Sequence, residues 1–238
     1  MQGFWIILDQ LQNIYMKKIS VIIASIFVLS LHAACKPSNE SNKQEEAMAQ
    51  KELTPIQTET VDGLKKAYFA SGCFWCVEAI YESVKGVKEA VSGYSGGKTE
   101  NPSYKNHADH AEAVEILYDP EIISFSQLVD VYFASQNITQ VNGQRPDNGT
   151  SYRSIIFYQN DAEKKIIEEK IAAINLQLDG GTVAAQVMPF QKFWEAEAYH
   201  QNYERNNPGN PYIQNVSIPR LNRFKEKMPE LLKQDAPH

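Results

Sequence analysis

Cysteine is scarce: three in 238 residues, too few for a disulfide scaffold to stand in for a hydrophobic core. Long apolar runs are missing too. The longest, Ile19 to Leu31, falls short of the roughly 20 residues that a bilayer-spanning helix needs. Positive charge is in deficit, with 23 Lys and Arg against 29 Asp and Glu, a net charge of −6 at pH 7. That argues against nucleic acid as a partner, because such binding rests on neutralising phosphates. No internal repeat is visible, which excludes a solenoid. What is present, 43% hydrophobic and 22% charged residues, suits one globular domain with a sizeable core.

The first 34 residues read as a targeting segment and stay outside the fold argument. Met16-Lys17-Lys18 forms a basic n-region and the more natural start, Ile19 to Leu31 an apolar h-region, and Ala33-Ala34 precedes Cys35. The pattern resembles a bacterial lipoprotein signal, with Cys35 acylated after cleavage. His32 stands where such signals more often carry an aliphatic residue, so cleavage after Ala34 without acylation is the other outcome. Export to the cell envelope or periplasm is expected, with membrane contact only through a lipid on Cys35. Residues 35–60 turn to Pro, Ser, Asn, Gln, Glu and Lys, a composition that cannot offset the entropy of ordering, and read as a tether. The folded domain, 61–238, is expected as a monomer.

Within that domain Gly72-Cys73-Phe74-Trp75-Cys76 follows an apolar run, Ala67 to Ala70, and precedes Val77, Ile80, Tyr81 and Val84. Those four share one face of a helix. Cys73 therefore falls at a helix N-terminus, where free N–H groups and the macrodipole favour an anion, and a thiolate is expected there. Three chemistries fit two thiols so placed: a nucleophilic or redox thiol pair, a thioredoxin-like thiol–disulfide oxidoreductase, and a zinc site completed by His107 and His110. The thirty residues between the two pairs exceed the roughly 12–15 of a zinc finger, so no metal is expected. A thioredoxin-like chain would place a proline before a strand, whereas Pro189 follows the last one.

The remaining patterns predict strand 66–70, helix 73–84, strands 87–92 and 112–118, helix 124–134, strand 153–158, a helix opened by Asn160 and strand 183–187. Ser124 with Gln127, and Asn160 with Glu163, carry helix-start signatures. This order is the split βαβ of a ferredoxin-like, two-layer α+β sandwich. The last fifty residues, rich in aromatics, Asn and Pro, look irregular. Two polar loops, 93–110 and 136–150, are long for a compact domain and carry Tyr104, His107, Asp109, His110 and Asp147, with Tyr152 just beyond.

Six segments in this order resemble the A-type peptide methionine sulfoxide reductases. They are Gly72-Cys73-Phe74-Trp75, Gly93-Tyr94-Ser95-Gly96-Gly97, Asn101-Pro102-Ser103-Tyr104, His110-Ala111-Glu112-Ala113-Val114, the stretch from Asp147 to Ser154, and the stretch from Ala196 to Tyr203. The resemblance spans nearly all of 65–229. It implies reduction of the S epimer of methionine sulfoxide, free or in proteins, without a cofactor. Cys73 would attack the sulfoxide sulfur, Glu112 would protonate its oxygen, and Tyr104 and Tyr152 would hold that oxygen, with Asp147 beside them. Phe74 and Trp75 would wall the S-methyl group.

Three departures from the family pattern matter. Cys76 stands where glycine is commoner, and no cysteine follows it. Cys76 is thus the candidate to resolve a Cys73 sulfenic acid as a disulfide, which a thioredoxin-like donor would reduce. The span from Tyr104 to Glu112 is also short for the family, and Gln136-Asn137-Ile138-Thr139 replaces a commoner His-Asp-Pro-Thr.

Overall fold

The computed structural model describes residues 53–234; the signal segment, Cys35 and the tether up to residue 52 lie outside the described residues. Eight strands and five α-helices alternate along the described chain. They run β1 (Lys65–Ala70), α1 (Phe74–Glu82), β2 (Val87–Ser95), β3 (Ala111–Tyr118) and α2 (Phe125–Ala134). Next come β4 (Gly143–Gln144), β5 (Asp147–Asn148), β6 (Ile155–Tyr158) and α3 (Asp161–Asn175), and then β7 (Gln186–Pro189), β8 (Phe193–Glu195), α4 (Tyr203–Asn206) and α5 (Ile218–Lys227). The main sheet has the order β7-β6-β1-β3-β2-β8, and β4-β5 form a separate ribbon.

The middle four strands, β6-β1-β3-β2, pair antiparallel throughout, which is the expected split βαβ sheet. To it the chain adds β7, parallel to β6 across the α3 crossover, and β8 along β2. Period two divides the faces. Ala67 and Phe69 of β1 and Val114 and Ile116 of β3 join the larger core under the helices. Tyr68, Ala70, Ala111 and Ala113 turn to the other face, with Phe157 and Phe190. The expected stripe of α1, Val77, Ile80, Tyr81 and Val84, is fully buried against the sheet. Glu112 shares the helix-facing register of Val114, so the pleat aims a carboxylate at the start of α1.

The predicted caps form: Ser124 and Gln127 exchange both bonds of a capping box, and Asn160 accepts from the Glu163 N–H. Two expectations need correction. The C-terminal segment is not irregular. A π-helical turn (Ile213–Ser217) runs into α5, which buries Leu221 and Phe224 and has a proline in its first turn. Leu221, Phe224 and Met228 already stood at helical spacing, but the surrounding Asn and Pro obscured them. The end of the presumed tether also docks: the Ile56 N–H donates to Phe190 O at 2.8 Å and the Thr58 N–H to Gln159 Oε1 at 2.8 Å. Backbone groups there find partners on the sheet edge, so the ordered contacts begin before Val61. The strand expected at 183–187 lies at Gln186–Pro189, three residues later at its start, and a further strand, Phe193–Glu195, follows it, so Pro189 does not come after the last strand as expected.

Candidate active site

Cys73 occupies the N-cap position of α1 and Cys76 lies in its first turn, so one helical turn brings both sulfurs to the same end of the helix. Both are reduced and buried. The turn before them needs glycine: Gly72 has φ +78°, and a Cβ there would come within 2.6 Å of Gln144 Cβ. Arg220 of α5 pins this turn from beneath. Its guanidinium donates to Ser71 O at 2.9 Å, Ser71 Oγ at 3.2 Å and Ser135 O at 2.8 Å.

Glu112 reaches the same end from β3, and its Oε2 accepts from the Phe74 N–H at 3.0 Å. Burial pushes this carboxyl up to about 8, against the lowering effect of that hydrogen bond, and Asp147 and Cys76 add to the rise. Glu112 is thus a neutral acid at pH 7. Tyr104 and Tyr152 share the site. Burial first, then the Glu112 charge, raises both phenols, Tyr104 to about 12. Asp147 accepts from Tyr212 Oη at 2.5 Å, and that same hydroxyl lies 3.8 Å from Cys76 Sγ. All seven expected catalytic and wall residues, with Cys76, therefore gather around the start of α1.

Two expectations change in detail. Cys73 is not the charged thiol. Burial drives its proton affinity well up, and its contact with Cys76 adds to this. Cys76 is lowered to about 7, first by the hydrogen bond from Cys73, and Arg220, Ser217 and Tyr212 help against the cost of burial. The physical reason is local: Cys73 is buried beside Cys76 and the Glu112 carboxyl, whereas the Arg220 cation acts on Cys76. Phe74 is also not an open wall. It is 1% exposed, wedged against Tyr94 at 5.8 Å and His200 at 5.1 Å between ring centres. The accessible aromatic surface is Trp75 with Tyr104, and Phe74 backs it.

Trp75 is held by residues that the sequence reading did not single out. Its ring stacks on Tyr203 at 3.8 Å, and its Nε1–H donates to His200 Nδ1 at 3.1 Å. Glu78, buried one turn past Trp75, accepts from the Asn202 N–H at 2.5 Å and from Ser92 Oγ, fixing the segment that presents Tyr203. Glu197 accepts from the Tyr104 N–H and from Tyr94 Oη, both at 3.1 Å, and so seats the loop carrying Tyr104. The motif Ala196 to Tyr203 signalled these last residues; Tyr212 and Arg220 had no signal beyond their types.

His107, Asp109 and His110 build the loop instead of the site. Asp109 accepts from the N–H groups of Lys98 and Thr99, His110 is bonded to Thr99 O at 2.7 Å and Gly97 N at 3.2 Å, and His107 stacks on Tyr94. Among the described residues no group of three or more His, Cys, Asp or Glu side chains could hold a metal ion.

A thiol pair beside a neutral carboxylic acid and two phenols, under an aromatic wall, suits attack on a weakly electrophilic atom whose oxygen must leave protonated. The model of the family described as "Peptide methionine sulfoxide reductase" matches residues 65–232. The chain belongs to the peptide methionine sulfoxide reductases. It is 42% identical over 173 residues to peptide methionine sulfoxide reductase MsrA of Pasteurella multocida, covering 71% of this chain and 99% of the relative. With MsrA of Saccharolobus solfataricus it shares 38% over 174 residues, 71% of this chain and 98% of the relative. Among solved structures, Mxr1 of Saccharomyces cerevisiae in reduced form aligns with a TM-score of 0.56 and 31% identity, covering 64% of this chain and 91% of that one. Methionine sulfoxide reductase A of Corynebacterium diphtheriae aligns with a TM-score of 0.55 and 27% identity, covering 68% and 90%. The reductase's reaction is the thiol-dependent reduction of methionine (S)-S-oxide, and each sulfoxide epimer has its own class of enzyme.

Proposed function

We propose that the reductase works through Cys73 as nucleophile, Glu112 as acid and Cys76 as resolving thiol, and that it repairs oxidised methionine in proteins of the cell envelope. The observation that carries the site assignment is the Glu112 carboxyl, neutral by burial and tied to the Phe74 N–H next to the Cys73 sulfur. With the sulfoxide against Trp75, its oxygen lies within the hydroxyls of Tyr104 and Tyr152 and the Glu112 proton. The Cys73 proton passes to Cys76 as Cys73 attacks sulfur, and Glu112 gives its own to the oxygen. The hydroxyl then passes from the substrate sulfur to Cys73 Sγ as the sulfur–sulfur bond formed by the attack breaks, which frees methionine and leaves Cys73 as a sulfenic acid. Condensation with the Cys76 thiol forms the S–S bond and releases water. A thioredoxin-like dithiol then supplies two electrons by exchange. Asp147 holds Tyr212, whose hydroxyl is placed beside Cys76 for that second step.

Export, with a lipid on Cys35, rests on the signal pattern alone; mass determination of the mature N-terminus in a native host checks it. The site assignment is tested by single turnover of the pre-reduced protein on a peptide with separated S and R sulfoxide epimers. Methionine from the S epimer only, with two thiols lost per turnover, is the expected result. Loss of only one thiol would remove Cys76 from the cycle.

A further inference from the structure

The thiol pair has a second opening. Cys76 lines a cavity of about 320 Å³, bounded by the end of α2, the loop after it, β5 and α5. Cys73, Glu112, Tyr104 and Tyr152 do not line it. The sulfoxide face and this cavity therefore meet the pair through different sulfurs, with the Tyr212–Asp147 contact on the boundary.

Its charge is one-sided. Arg145, Arg220, Arg223 and Lys227 stand around it, and Asp147 is the one carboxylate on the wall, itself engaged by Tyr212. Arg220 is buried and bonded to backbone, whereas Arg145, Arg223 and Lys227 are exposed at the rim. Between the cations the wall is amide and hydroxyl, from Ser135, Gln136, Asn137 and Gln144. A volume at the lower end of the roughly 300–1,000 Å³ of small-molecule pockets excludes the body of a folded protein. Cationic, hydrogen-bonding walls select an anion.

The geometry points to this cavity as the entry for a second class of reductant, a low-molecular-weight thiol that carries carboxylates and is of about tripeptide size. This rests on resolution by Cys76 as argued above. The thiolate attacks Cys76 Sγ, the one sulfur on the wall, and the Cys73–Cys76 bond breaks with Cys73 leaving toward the Glu112 side. A second equivalent attacks the sulfur of the bound thiol, which releases the small disulfide and returns Cys76 as a thiolate. Two thiols are oxidised and one protein disulfide is reduced.

The test uses the full chain, oxidised by one equivalent of methionine sulfoxide. Its reduction by mercaptosuccinate, mercaptoethanol and cysteamine is timed, each rate divided by that thiol's rate on 2-hydroxyethyl disulfide to cancel intrinsic nucleophilicity. Normalised rates should fall from anionic to neutral to cationic thiol, by about tenfold or more across the series at low ionic strength, and converge in high salt. The double variant Arg223→Glu, Lys227→Glu should invert the order while leaving single-turnover methionine formation unchanged. Equal normalised rates, or an order indifferent to both salt and charge reversal, overturn the proposal. So does slowing confined to a thioredoxin-like protein donor, which would give the cavity to a protein. Methionine formed without any Cys73–Cys76 disulfide overturns resolution by Cys76 and this entry with it, a result distinct from a disulfide reduced without regard to charge.

Discussion

The two ends of one helical turn, Cys73 and Cys76, sit in opposite environments. Around Cys73 are a neutral carboxylic acid, phenols and aromatic rings, and burial keeps its proton on. Around Cys76 are Arg220, Ser217 and Tyr212, which favour the anion. Two thiols three residues apart are chemically alike in the chain, and what divides them is which side groups other elements bring. The acid side suits oxygen removal and the basic side suits disulfide chemistry.

The sharpest break of this contrast is exchange of each sulfur in turn. Cys73→Ser should abolish methionine formation altogether, whereas Cys76→Ser should still form about one methionine per protein in a quenched assay and then stop. Next comes Glu112→Gln, which keeps the shape and loses the proton; the rate of the reductive step should drop by roughly 10²–10⁴-fold. Because Glu112 is protonated below about 8, the wild-type step should decline as pH rises through that value, and the variant should lack this limb. The same shift makes a stability prediction. A carboxyl raised above its ordinary 4.5 stabilises the fold fully below that pH, and the contribution is lost as pH rises toward 8. Denaturant titrations should therefore show wild type falling relative to Glu112→Gln over that window, by an amount on the order of a few kcal/mol.

Arg220→Met tests the basic side. It leaves the carbonyls of Ser71 and Ser135 without their donor, and a loss of about 2–4 kcal/mol in denaturant unfolding is expected. The rate of Cys76 alkylation should also shift to higher pH as the thiolate loses its cation. Smallest is Tyr212→Phe: methionine formation in one turnover should persist, and disulfide formation, followed by thiol counting, should slow by about tenfold. A loss of methionine formation instead would place Tyr212 on the acid side.

Much of the fold was readable because it is local. Period two in β1 and β3, the helical stripe of α1, and the caps at Ser124 and Asn160 depend on neighbours within a few residues, and the structure reproduces them. The C-terminal helix was hidden by composition, since Asn and Pro outweighed Leu221 and Phe224, and only packing on α1 and α2 decides that it forms. Within the site, the thiol pair and the family resemblance marked Cys73, Tyr104, Glu112, Asp147 and Tyr152. Glu78, His200 and Tyr203 sit inside or beside those motifs, but the bonds that tie α1 to the Ala196–Tyr203 segment span more than a hundred residues, as with Glu78 and Asn202 at 124 and Trp75 and His200 at 125.

From the chain alone come a thiol pair on one helical turn and, through the family resemblance, the acid Glu112 and a family of reductases. Proton ownership within the pair came only from the folded molecule. Burial depends on the whole core, the Glu112 carboxyl beside the pair arrives from β3, and the cation near Cys76 arrives from α5, 149 residues after Ser71 to which it bonds. Electrostatic energies depend on distance through space and on the solvent excluded between charges, and neither quantity is written in the order of residues.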